Sequence, residues 1–96
     1  MDKRFDISEF VPALTEQTVI TELVKRVKLR RKELGVSQRV LAQRSGVSFG
    51  SIRRFEERGD ISLCSLVKIG QAMDCLQDFN ELFKNSKIKN LKDFKA

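Results

Sequence analysis

Three glycines cut the middle of this chain into short pieces. Gly35, Gly46 and Gly59 are each followed within three residues by a serine: Ser37, Ser48 and Ser62. Glycine adopts without strain the left-handed backbone that ends a helix, and a serine hydroxyl accepts the free N–H groups where the next helix starts. Each pair therefore reads as a stop followed by a start. Between these marks the apolar residues recur at steps of three and four, and no stretch alternates convincingly as a strand would. A first helix, capped by Thr15 or Thr18, carries the stripe Ile20, Leu23, Val24, Val27, Leu34, with Arg30, Arg31 and Lys32 in its last turns. There the cations complement the helix dipole. A second, short helix turns Val40, Leu41 and Ala42 inward. A third runs from Ser48 to Gly59 with Ile52 and Phe55 inward. A fourth places Leu63, Leu66, Val67, Gly70 and Met73 on one side. A fifth spans about Cys75 to Lys84 with Leu76, Phe79 and Phe83. The expected fold is all-α, with five helices.

The chain has 96 residues, 41% of them hydrophobic, which supports one modest core. No apolar run approaches the roughly 20 residues of a membrane span, and the N-terminus lacks the core of a signal peptide. No membrane association is expected, and the chain is placed in the cytoplasm. There is no histidine, and Cys64 and Cys75 fit no metal or redox spacing. Both cysteines read as small hydrophobes in or near the core. Ser–His and Cys–His nucleophile pairs are impossible, and no carboxylate pair stands out for acid–base work. No cofactor, metal or enzymatic activity is expected.

Charge is unevenly spread. Residues 1–24 carry a net −3, residues 25–58 a net +8, residues 59–83 a net −3 and residues 84–96 a net +4. A basic middle in a small helical domain is the electrostatic footprint of a nucleic-acid binder, although an anionic membrane or an acidic protein would also suit it. Residues 1–17, with Pro12, read as an irregular arm that holds at most one short extra turn. Residues 18–84 read as the domain. Residues 85–96 read as a basic tail whose stripe Ile88-Leu91-Phe94 is able to become helical on a partner.

The spacing of particular residues resembles that of the Xre family of helix-turn-helix proteins, which includes the phage Cro and cI repressors. The residues concerned are Leu34-Gly35 before Ser37-Gln38, then Leu41-Ala42, the turn Gly46-Val47-Ser48, Ile52, Phe55-Glu56, and Leu66 with Ile69 through Ala72. The likeness covers about residues 18–83. It implies the five-helix bundle of the lambda-repressor-like (Cro/C1) type, with Ala42 small at a close helix crossing and the third helix held to the core by Val47 and Ile52. The free face of that helix would enter the major groove. By resemblance Phe49, Gly50 and Arg54 occupy base-reading positions. Ser48, Ser51 and Arg53 stand within reach of bases or phosphates. Arg54 suits a bidentate contact to guanine. Phe49 departs from the polar residue usual at its position, and either packs on a thymine methyl or joins the core. Gln38 matches a phosphate contact at the start of the second helix, and Arg39 and Arg44 are further phosphate candidates. Arg31 falls on the apolar stripe of the first helix. A charge there needs a partner, and an ion pair with Glu56, which follows inward-facing Phe55, is expected to lock the first helix to the third, as an arginine and a glutamate at matching positions do in the family; the alternative is that Arg31 reaches solvent along its stem.

A narrower likeness runs from Val47 to Phe83, through Ser48 to Ser51, Arg54 to Glu56, Gly59, Ile61 to Leu63, and Asp78 to Phe83. It resembles the HipB-like antitoxins encoded beside HipA-type kinase toxins, and implies a protein that represses its own operon as a dimer and contacts the toxin. One recognition helix covers few base pairs, so a homodimer on a palindromic double-stranded operator is expected. Phe79, Leu82 and Phe83 are the candidate dimer interface, unless all three complete the monomer core. The competing reading is a protein-interaction module, an antitoxin or adaptor whose main business is a partner protein.

Overall fold

A computed structural model describes residues 14–86 of the protein; Pro12 and the stripe Ile88-Leu91-Phe94 lie outside them. The described residues form five helices and no strand: α1 (Glu16–Glu33), α2 (Gln38–Ser45), α3 (Phe49–Arg58), α4 (Leu63–Ala72) and α5 (Leu76–Phe79). Helices α2 and α3 pack on each other, α2 also packs on α4, α1 packs on α3, and α5 packs on α4.

The caps explain where the helices begin. Thr15 accepts from the Thr18 backbone N–H while the Thr18 hydroxyl accepts from the Thr15 N–H, a reciprocal pair that starts α1. The hydroxyls of Ser37, Ser48 and Ser62 accept from the N–H groups of Val40, Ser51 and Ser65 at 3.1, 3.1 and 3.0 Å. The stops are equally local. Gly35, Gly46 and Gly59 have φ of 70°, 76° and 76°. Gly59 carries a second constraint, because a Cβ there would run into the Ile20 side chain on α1. Its absence lets the end of α3 approach α1 closely.

The core consists of Val36, Leu41, Val47, Ile52, Phe55, Ile69 and Met73. Val40 and Ala42 are half-buried against it. Three expectations fail at this level. Leu34 is 50% exposed instead of continuing the stripe of α1. It caps α1, and the chain then reverses: the N–H of Val36 bonds the carbonyl of Arg31 at 3.2 Å and that of Gly35 bonds Lys32 at 3.0 Å. This C-terminal motif swings the residue two beyond the cap back onto the helix, so Val36 enters the core in place of Leu34. Leu63 is 70% exposed in the first turn of α4, where Ile69 supplies the inward contact instead. Cys64 is exposed rather than in or near the core, whereas Cys75 is half-buried, accepting from Arg30 at 3.0 Å and donating to the Met73 carbonyl at 3.2 Å.

The last helix is shorter than its periodicity predicts. α5 is one turn, and the chain continues to Lys84 in turns closed by bonds three residues apart: Asn80 to Gln77, Glu81 to Asp78, Leu82 to Phe79 and Lys84 to Glu81. At three residues per turn, Leu76, Phe79 and Leu82 align along one side. Phe83 leaves that row. It takes a left-handed backbone (φ 58°) and stands fully in solvent.

Candidate nucleic-acid interface

Helix α3 has two faces of opposite character. Ile52, Phe55 and Glu56 are buried, while Gly50, Arg53, Arg54, Glu57 and Arg58 are exposed. The inner face is fixed by a polar network as well as by apolar packing. Arg31 of α1 donates through Nε to Glu56 Oε2 at 2.7 Å and through NH2 to Glu56 Oε1 at 2.9 Å. Its third nitrogen donates to the Val36 carbonyl at 2.9 Å. Gln38, at the start of α2, donates from its amide to Glu56 Oε1 at 2.9 Å. A single carboxylate thus ties α1, α2 and α3 together. The two side chains are 9% and 2% exposed, so the pair lies out of water and every charged atom needs its partner. Burial alone would push the Glu56 carboxyl up. The hydrogen bonds from Arg31 and Gln38, with the positive charge of Arg31 and Lys28, outweigh that and hold it below the usual carboxylate value.

The outer face collects the other predicted residues. Arg54 is exposed and has no ion-pair or hydrogen-bond partner among the described residues. Arg53 pairs loosely with Glu57 one turn on, at 3.6 Å. The Ser48 hydroxyl, besides capping α3, donates to the Ser51 hydroxyl at 2.8 Å, so both serines are held at the helix start. Gly50 is exposed, and nothing lies within 4 Å of where its Cβ would be, so the backbone is bare there. Phe49 is half-buried and does not enter the core cluster. Its ring carries the guanidinium of Arg39, 4.1 Å from the centroid, and that of Arg53 at 5.8 Å.

On α2, Arg39 and Arg44 are exposed. Gln38 is half-buried with its amide nitrogen on Glu56. What remains at the start of α2 is the backbone: the first N–H groups of a helix have no intrahelical acceptor and favour an anion. The structure therefore brings Arg39, Phe49 and Arg53 into one cluster and leaves Arg54 apart, one residue along the outer face. Of the candidate interface residues, Phe79 rests on Gly70 of α4, while Leu82 is 59% exposed and Phe83 fully so.

Sequence reasoning did not find the Gln38–Glu56 bond or the Arg39–Phe49 stack. Both join α2 to α3 across the Gly46 turn, and no spacing within one helix signals them. The signal that was present is the unusual aromatic residue opening a helix that has arginines on its outer face.

This arrangement, two short helices locked at a glycine turn with the second one bare on its basic face, agrees with the family comparison. A model of the helix-turn-helix family matches residues 27–75, just over half of the chain. The protein belongs to the helix-turn-helix family of the Xre and Cro–cI type. That family consists of DNA-binding transcription regulators. No curated protein and no solved structure matches the chain. The matched residues begin in the second half of α1 and end at Cys75, so they include α2, α3, α4 and the Arg31–Glu56 pair. No described helix is long and apolar enough to cross a membrane.

Proposed function

We propose that this helix-turn-helix protein is a sequence-specific repressor that reads a palindromic operator as a dimer, with α3 in the major groove. The observation that carries the reading is Arg54: a long, uncommitted guanidinium on the outer face of a helix whose inner face is locked by Glu56. Arginine makes bidentate contacts to guanine in that groove. Gly50 lets the backbone come close to the DNA, and Arg39, Arg44 and Arg53 supply phosphate contacts. The start of α2 adds backbone N–H groups. Two copies related by a twofold axis would place their α3 helices about 34 Å apart, one DNA turn. Exposed Leu76, Leu82 and Phe83, beside an apolar groove of about 240 Å³ between α1, α4 and α5, offer the surface for that pairing.

The test is a titration of the DNA upstream of the protein's own gene, at several salt concentrations, with wild type and Arg54→Ala. Tight binding that falls steeply with salt, and a loss of about 10-fold to 100-fold on that DNA for Arg54→Ala, is the expected outcome. Weak binding that is equal on any duplex and indifferent to Arg54 would move the weight elsewhere.

The same apolar groove favours a second reading, in which the chain is an antitoxin or adaptor and its main ligand is a partner protein such as a HipA-type kinase. The groove is lined by Leu23, Val27, Leu66, Met73, Phe79 and Leu82. In that reading Leu82→Ser abolishes capture of the partner, and Arg54→Ala leaves it intact. Autoregulation of a toxin–antitoxin operon would combine the two activities in one chain.

A further inference from the structure

The cluster of Arg39, Phe49 and Arg53 is unusual in its chemistry. Arg39 lies near the start of α2 and Arg53 is one turn into α3, so the two come from different helices. Both guanidinium carbons lie within about 6 Å of a single ring centroid, at 4.1 and 5.8 Å. Arg39 has no carboxylate within ion-pair distance among the described residues, and only the exposed Glu57, 3.6 Å from Arg53, offsets the pair. Two like charges gathered beside one ring and barely neutralised favour an anion.

The ring does something else for these arginines. A free arginine side chain samples many rotamers, and ordering it on binding costs conformational entropy. Stacking uses the flat face of a guanidinium and leaves the N–H groups on its edge uncommitted. A stacked arginine is therefore ordered before a ligand arrives, with its donors still available. Phe49 is suited to this role because it opens α3 immediately after the Ser48 cap, where α2 and α3 come together around the Gly46 turn.

We propose that Phe49 is a positioning residue: it holds Arg39 and Arg53 as a two-helix clamp for the DNA phosphate backbone. The clamp sets how α3 sits along the groove, and Arg54 and the bare backbone at Gly50 are left to meet the bases. This rests on the DNA-binding reading given above. It differs from a direct contact between Phe49 and a thymine methyl, because a phosphate clamp acts on every sequence alike.

The experiment measures binding of purified full-length wild type, Phe49→Ala, Phe49→Leu, Phe49→Tyr, Arg39→Ala and the double variant Arg39→Ala/Phe49→Ala to the operator and to an unrelated duplex, across a salt series. Thermal unfolding of each variant is followed in parallel. Phe49→Ala and Phe49→Leu are expected to weaken binding about 5-fold to 10-fold on both duplexes, the effect of releasing two exposed cations held at the ring, Arg39 against its face and Arg53 at longer range. The dependence on salt should become shallower, as it does when phosphate contacts are lost. Phe49→Tyr, which keeps the ring face, should bind as wild type. The double variant should lose less than the product of the two single losses, because Arg39→Ala already removes the Arg39 part of what Phe49→Ala releases and only the Arg53 part remains.

Several results would overturn the clamp. One is Phe49→Leu binding like wild type, which would make the ring mere packing. Another is fully additive losses in the double variant. A third is a loss confined to the operator and reproduced by replacing one thymine with uracil, which would make Phe49 a base reader. In each of these cases wild type still binds DNA and the DNA-binding reading survives. Wild type that binds no duplex at all would sink both.

Discussion

The seam between α1 and α3 and the edge formed by α4 and α5 are built on opposite principles. The seam is held by directional bonds: one carboxylate, Glu56, accepts from Arg31 twice and from Gln38 once, in a space closed to water. It also has a geometric stop, since Gly59 admits the Ile20 side chain where no Cβ would fit. Together these bonds and the close approach at Gly59 restrict how α1 and α3 can cross. The edge is held mainly by apolar contact, with Phe79 resting on Gly70 and Leu76, Leu82 and Phe83 left partly or wholly in solvent; a few polar bonds gather at Cys75. Apolar contact has no preferred direction. The seam can therefore fix α3, while the edge remains able to accept another surface. Rigidity is placed around α3, the helix proposed to read bases, and unburied apolar area is placed on a different side of the domain.

The largest effect should come from breaking the seam. Glu56→Ala strands Arg31 without its carboxylate and should cost about 3–5 kcal/mol in chemical denaturation, enough to unfold much of a small domain. Replacing both partners by apolar residues of similar size, Arg31→Met with Glu56→Leu, should recover most of that loss. If the single and double variants were equally destabilised, the seam would be held by packing and not by the pair. Next comes Gly59→Ala. The left-handed backbone alone costs about 1–2 kcal/mol for a residue with a Cβ, and displacing Ile20 adds to it. The midpoint of thermal unfolding should fall accordingly. A comparable substitution at Gly46, which has a left-handed backbone but no crowding neighbour, should cost less.

A pH series sharpens the contrast further. The native carboxyl of Glu56 titrates below its unfolded value, because Arg31 and Gln38 bond its charged form. Its contribution to stability is therefore complete above that value and fades as pH falls through the native one. Wild type should lose stability on acidification faster than Glu56→Gln, so that the difference between the two narrows. A difference that stayed constant from neutral pH to pH 3 would exclude a coupled ionised pair. The smallest effect on folding belongs to the edge. Phe83→Ser should change monomer stability by no more than about 0.5 kcal/mol, because the ring is fully exposed. In sedimentation it should nonetheless shift any monomer–dimer equilibrium toward monomer, if that edge is where two copies meet.

Much of the architecture was legible because caps and stops are local. A serine hydroxyl reaches an N–H three residues away and a glycine relieves its own φ, so Ser37, Ser48, Ser62, Gly35, Gly46 and Gly59 could each be read without knowing the fold, and the cap of α1 could be narrowed to Thr15 or Thr18. The inward faces of α2 and α3 followed from periodicity in the same way. Of the site, Arg53 and Arg54 on the outer face of α3 were readable because Ile52 and Phe55 had already claimed the inner one.

What the sequence determined by itself, then, is the number of helices, where three of them start, with the first narrowed to one of two caps, and which face of α3 is left bare. Helical periodicity missed two local departures, at Leu34–Val36 and after Phe79, and tertiary structure decided what two helices do to each other. Leu34 lost its place to Val36 because a chain reversal, not helical phase, positions the residues beyond the cap. The last segment tightened to three residues per turn, which aligned Leu82 with Phe79 and turned Phe83 outward. The amide of Gln38 went to Glu56, and the ring of Phe49 went beneath Arg39, because the Gly46 turn brings α2 and α3 together at one angle. Bonds within four residues are set by the order of the chain; contacts between helices depend on the angle at which they cross, and no local pattern encodes that angle.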